Sequence, residues 1–452
     1  MNIINSAKNI IAGVAVGIAL AASAVPVVQQ DSVSAQQDNI KRTVKIEYQL
    51  TGEPGIVTID IQTNVSDGVW ASIGGEHYQN MYGAVNRINT NLTTKSYAYW
   101  QPDVDWESND PAKVNVRAVV TAWSTNSPPN YIAVDLTSMS NFLFYANAES
   151  LPGGIGARKY KTDWIVMRKI PANGVVWRMG SPSTEADRAA GNYAKAEPAR
   201  LVVLTNDYYL GVYELTQKQF WNISDGAQSP SPSAFKEGAD ADIRPVENIA
   251  IASVRGDSAV SANFSWPEHG HDVAYNSSTP KWWKFGYLRR KTGLLFDAPT
   301  SAQWEYACRA GTSGRFNNDA DSPDAVGWYN SNWENDTAIS SNMTHVVGLL
   351  APNKFGLYDM HGNVREYVLE RYFFPEAADG VTYIDPTIPP GTSNPITSES
   401  YRHSTRGGSY ADGIGDCRSA AVVRVQSGNS KTGYRLWLPV VIPHLGKPME
   451  FR

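Results

Sequence analysis

Thirteen residues, Phe355-Gly356-Leu357-Tyr358-Asp359-Met360-His361-Gly362-Asn363-Val364-Arg365-Glu366-Tyr367, set two glycines, an Asp, an Asn and a Glu between aromatic and aliphatic anchors. Helix formers are sparse at the start of this stretch, so it predicts a tight loop that presents carbonyl groups. Asp359 and Glu366 are hard-oxygen donors, and Gly362 between them is free to turn its backbone inward. Carboxylates plus main-chain carbonyls are the ligands Ca²⁺ takes. The same residues also make an ordinary turn with a solvated Asp and a salt-bridged Glu, and spacing leaves both readings open.

A chain of 452 residues is too long for one ordinary core, which predicts two domains. The net charge of −5, with no basic run or stripe, argues against a nucleic-acid or polyanion binder. Fourteen Trp and 23 Tyr beside 36 Gly and 26 Pro predict a loop-rich protein with an aromatic core. Lys8 precedes the apolar run from Ile10 to Ala22, which is short and rich in small residues. It is read as a leader within residues 1–35, with Ala22-Ser23-Ala24 and Val33-Ser34-Ala35 both fitting a cleavage site and an uncleaved anchor as the alternative. No other segment could cross a bilayer, so the expected destination is secreted, periplasmic or cell-surface. Cys308 and Cys417 are the two cysteines, and either a disulfide between them or two buried thiols is compatible with export.

Alternating runs at Val44–Leu50, Val57–Gln62, Lys95–Trp100, Val114–Trp123 and Tyr131–Leu136 predict strands. They make residues 43–146 an all-β, Ig-like sandwich, without a catalytic cluster and suited to a spacer or adhesion role. Leu151-Pro152-Gly153-Gly154 marks a linker over 147–159. A second domain is expected over 160–441, with a tail over 442–452. Thr216 is placed to cap a helix starting near Gln217, and Thr300 or Ser301 to cap one running to Arg309. Trp304, Ala307 and Cys308 share one face of that second helix and are expected to pack inward. Gly407-Gly408 suggests positive φ or a close approach, and Arg435 is a candidate for a buried ion pair. The insertion Glu268-His269-Gly270-His271-Asp272 is read as a surface loop.

The blocks Ile170-Pro171-Ala172, Met179-Gly180-Ser181, Tyr208 to Thr216, Arg244-Pro245-Val246-Glu247-Asn248, Ala298 to Gly311, Phe355 to Tyr367, Arg406-Gly407-Gly408-Ser409-Tyr410 and Gly433-Tyr434-Arg435-Leu436 follow one another in the order of a known family. The chain resembles the formylglycine-generating enzyme (sulfatase-modifying factor) family over residues 160–441. That resemblance implies an irregular α+β fold related to C-type lectins. It also implies Ca²⁺ on the side chains of Asp359 and Glu366 and the carbonyls of Gly362 and Val364. In catalytic members two cysteines hold copper and use oxygen to convert a substrate Cys to formylglycine, since Cu(I) favours two thiolates. The matching positions here are Asp412 and Cys417, so one thiol is replaced by a carboxylate. Ser409 matches, whereas the family's Trp before the Glu is Arg365.

These features favour an exported, non-catalytic binding protein for a protein or glycan ligand, displaying residues 410–429 on a calcium-tied frame. The alternatives are a copper oxidase working through Cys417 and Ser409, a diversified lectin-like receptor ending in Gly433-Tyr434-Arg435-Leu436, and a surface-layer component.

Overall fold

The computed structural model describes residues 25–440, apart from 39, 107–114, 189–196, 224–230, 252–253, 255–283, 337–341, 372–380, 387–402 and 426–427. The Glu268–Asp272 insertion and the tail therefore lie outside the described residues.

Two sheets build the N-terminal unit. Strands Val27–Asp38, Thr43–Thr51, Ser96–Trp100 and Tyr82–Gly83 form one, in that spatial order. In the other, Gly55–Ser66 pairs with Val69–Ser72, Arg87–Asn89 and Val116–Trp123. Their inward residues share a core: Ile46, Tyr48 and Leu50 from the first sheet meet Val57, Ile59, Ile61 and Val120 from the second. The period-2 alternation read from the sequence is thus the alternation of buried and open faces.

The expected boundary at 146 is corrected by strand pairing. Tyr131–Asp135 pairs with Trp164–Ile170 and Phe142–Tyr145, so both early strands belong to the second domain's sheet. That five-stranded antiparallel sheet runs Phe142–Tyr145, Tyr131–Asp135, Trp164–Ile170, Tyr208–Gly211, Trp437–Pro439. Nor is 147–159 a loose linker, because Leu151 is buried with Tyr131, Tyr145 and Tyr160. Ile56 of the N-terminal unit packs into the second domain's core beside Ile132 and Val134. Of the 1–35 region read as a leader, Val27 to Ala35 lie in the strand Val27–Asp38, which pairs with Thr43–Thr51.

The second domain is rich in strands and irregular segments, and its short helices pack into the core through Phe285, Leu288, Trp304 and Ala307. A second sheet carries the opening stretch onward: Arg365–Arg371 pairs antiparallel with His403–Arg406 and parallel with Thr432–Gly433. Helices Gln217–Asn222 and Ser301–Arg309 both begin with full capping boxes, on Thr216 with Gln219 and on Thr300 with Gln303. Trp304, Ala307 and Cys308 are buried together against Leu357 and Met360, as their shared helical face predicts. Among the described residues no helix is long and apolar enough to cross a membrane.

Candidate functional site

The stretch 355–364 is a loop whose course depends on left-handed backbone at Asp359 (φ 57°), Gly362 (φ 97°) and Asn363 (φ 56°). Asn and Asp tolerate that region better than other side-chain-bearing residues, and Gly does so without steric cost. Glycine is also required by space at 362, where a Cβ would stand 1.7 Å from the Trp328 carbonyl oxygen. Beyond the loop, strand pairing through Arg365 and Glu366 carries their side chains to opposite sides.

Glu366 faces the core. Both its oxygens are engaged by the Arg435 guanidinium at 2.6–3.0 Å, and Trp304 Nε1 donates to Oε2 at 2.5 Å. The remaining Arg435 donors reach the carbonyls of Gly211 (2.9 Å), Val212 (3.0 Å) and Tyr358 (2.8 Å). One guanidinium therefore ties the central sheet, the loop and the second sheet together, realising the buried ion pair foreseen for Arg435.

Asp359 is buried and accepts from the Gly348 amide at 2.7 Å through Oδ2, while Oδ1 has no partner. Burial pushes its carboxyl up to about 6, against the pull of the Gly348 amide, Arg435 and Lys161. Glu214, which sequence reading passed over, stands beside it. It accepts from Asn363 Nδ2 at 2.7 Å and from the Val364 amide at 3.0 Å. Burial, and then the charges of Asp359 and Glu366, raise Glu214 well above the usual carboxylate range. Three buried carboxylates thus face two cations, Arg435 and Lys161, and one carboxylate oxygen is unmet. Of the three, Asp359 alone has an open oxygen, since Arg435 and Trp304 take both Glu366 oxygens and Asn363 and the Val364 amide take those of Glu214. Nothing in the local sequence pairs Glu214 with position 363; the strand leaving Tyr208–Gly211 brings it there.

Arg365 faces the other side, toward Ser409 and Asp412. Its Nε donates to Asp412 Oδ2 at 2.6 Å and its Nη2 donates to Asp412 Oδ1, a bidentate pair. Ser409 Oγ donates to the same Oδ2 at 2.6 Å, and Lys431 Nζ lies 3.6 Å from Oδ1. The side chains are 13% and 4% exposed. The two departures from the family pattern, at 365 and 412, are thus partners of one another.

Cys417 lies apart from that network, buried among Phe316, Tyr329 and Ile414. Gly408 (φ 71°) makes room for it, because a Cβ there would approach Cys417 Sγ to 2.5 Å. Burial, followed by the charges of Asp412 and Asp416, pushes the Cys417 thiol far up, which disfavours the thiolate a metal would need. One protonated thiol and an ion-paired carboxylate do not fit Cu(I). The Cys308–Cys417 disulfide is not formed either: both are buried free thiols. They sit in separate clusters, Cys308 with Trp304, Leu357 and Met360, 3.7 Å from Ser419 Oγ. His361 links the two neighbourhoods. It accepts the Asn317 amide at Nε2 (3.0 Å), which places its proton on Nδ1, donating to the Cys417 carbonyl at 2.7 Å.

The chain is 30% identical over 199 residues to the chaperone protein LppX of Paenibacillus barcinonensis, covering 39% of this chain and 67% of that protein. Over 82 residues it is 37% identical to the formylglycine-generating enzyme of Mycobacterium tuberculosis, covering 17% of this chain and 27% of that enzyme. Among solved structures it is similar to Treponema denticola variable protein 1 (TM-score 0.41, 21% identity, 61% of this chain and 95% of the other). PvdO from Pseudomonas aeruginosa is similar as well (TM-score 0.43, 18% identity, 61% and 94%). The model of the sulfatase-modifying factor enzyme 1-like domain matches residues 171–438, more than half of the chain, and the protein belongs to that family.

Proposed function

We propose that this protein is an exported, non-catalytic member of the family, whose domain binds a protein or glycan ligand on a calcium-tied frame. The Arg365–Asp412 pair carries this reading. On the resemblance to formylglycine-generating relatives, Asp412 stands in place of one copper-binding Cys and Arg365 in place of a pocket-lining Trp, and here the two form a bidentate ion pair that also bonds Ser409. A carboxylate already neutralised by guanidinium is a poor replacement for a thiolate toward a soft metal. The segment around Asp412, residues 410–429, is read as ligand-facing, with Gly413 and Asn429 exposed, and the N-terminal unit as an Ig-like spacer.

Purified protein incubated with copper and a Cys-containing sulfatase peptide is expected to yield no aldehyde by mass spectrometry. Aldehyde formation that disappears in Cys417→Ala would overturn the non-catalytic reading.

Calcium is proposed with Asp359 as its side-chain ligand beside the carbonyls of Gly362 and Val364, supported by the unmet Asp359 oxygen, whereas Glu366, expected as a second ligand, is held by Arg435 and Trp304. A metal that binds only the folded state raises its stability. The melting temperature is therefore expected to fall on chelation and to recover with Ca²⁺. A melting curve indifferent to chelator removes calcium from the proposal.

A further inference from the structure

We propose that export processing cuts this chain between Ala24 and Val25, so that Val25 is the mature N-terminus. Two motifs compete on sequence, Ala22-Ser23-Ala24 and Val33-Ser34-Ala35. The fold separates them, because it uses the residues between the two.

Val27–Asp38 is the edge strand of the first sheet and pairs antiparallel with Thr43–Thr51, from Val27 opposite Thr51 to Asp38 opposite Thr43. Ala35 itself stands opposite Ile46, inside the paired region. Val28 is buried in the sandwich core with Ile46 and Leu50, and Val33 packs against that core. The fit begins upstream of the strand. Pro26 is buried against Gly55, where a Cβ would come within 2.4 Å of Pro26 Cβ, and Gly52 passes so near the Val25 carbonyl that a Cβ would be 2.1 Å from its oxygen. At the far end Asp38 Oδ1 accepts the amides of Ile40 and Lys41 at 3.0 Å, closing the turn into the next strand.

A cut after Ala35 would remove nearly the whole strand, bare the edge of Thr43–Thr51 and open the core over Ile46. A cut after Ala24 leaves every one of these contacts intact. It also lies directly after the apolar run that ends at Ala22, where a leader's small-residue site belongs. In chemical terms the host's export signal peptidase adds one water across the Ala24–Val25 amide. The products are a leader ending in a carboxylate and a chain beginning with an amine.

The test is the full-length chain expressed with its leader in an export-competent bacterium, followed by intact mass and N-terminal sequencing of the exported protein. The sequence Val25-Pro26-Val27 is expected. A start at Gln36, or retention of the leader, overturns the proposal. Ala24→Leu is expected to abolish conversion while Ala35→Leu, at an exposed position, is processed as wild type; the reverse pattern overturns it. Leaderless chains starting at Val25 and at Gln36 provide a check independent of processing. The first should melt as the exported protein does and the second should lose its cooperative transition. Equal melting of the two would show that the strand is dispensable and overturn the structural argument.

Discussion

Cutting the Arg365–Asp412 pair from either side should cost unequal amounts, and removing both partners should cost less than the sum. Asp412 is nearly enclosed, at 4% side-chain exposure, whereas Arg365 keeps 13% and has Asp416 at 3.7 Å as a second partner. Breaking a fully buried pair from one side costs about 3–5 kcal/mol, because the remaining charge is left without compensation. In Arg365→Ala the Asp412 carboxylate keeps Ser409 and a distant Lys431, which places this variant near the lower end, about 3 kcal/mol. In Asp412→Ala the guanidinium can turn toward Asp416 and water, so about 1–2 kcal/mol is expected. The double variant leaves neither charge stranded, and the coupling energy should be about 2 kcal/mol. Urea unfolding of the four proteins, read from midpoints at unchanged slope, measures the cycle. Additivity within about 0.5 kcal/mol would refute the claim that the two departures from the family pattern compensate one another.

Burial pushes His361 down to about 4 from an ordinary value of 6.5, so the folded state holds this ring neutral while the unfolded chain would protonate it. Its contribution is complete above pH 6.5 and is lost as pH falls toward 4, about 3 kcal/mol over that window. His361→Asn, titrated in parallel by thermal melting, should lack that acid-side slope, and an identical slope would clear His361 of the effect. Both thiols are buried, so native protein should resist alkylation and take up two labels only when unfolded, with no mass change on prior reduction. A reductant-dependent second label would mean that the cysteines pair.

Local chemistry was readable where a few neighbouring residues settle the outcome. The capping boxes at Thr216 and Thr300 need only a hydroxyl and a Gln three positions on, and both helices start there. The inward face of Trp304, Ala307 and Cys308 follows from helical periodicity. The positive φ at Gly407 and Gly408 follows from adjacent glycines that no regular element needs. The loop at 355–364 was foreseen for the same kind of reason. Its use of Glu366 was not: a carboxylate read as a metal ligand is held by Arg435, and spacing along one strand cannot show what arrives from another. Tyr131–Asp135 was recognised as a strand but assigned to the wrong sheet, since alternation specifies an element's faces and not its neighbours.

The sequence by itself determined the family, the capped helices and the loop with its left-handed turns. These are matters of residue identity and short-range sterics. Tertiary structure decided the rest: that Tyr131–Asp135 joins the second domain's sheet, that Val27–Asp38 pairs with Thr43–Thr51, and that Glu214 joins Asp359 and Glu366. It also decided that Arg365 answers Asp412. Each of those depends on charges or strand edges brought together from distant parts of the chain, where desolvation rather than local preference fixes which partners must meet.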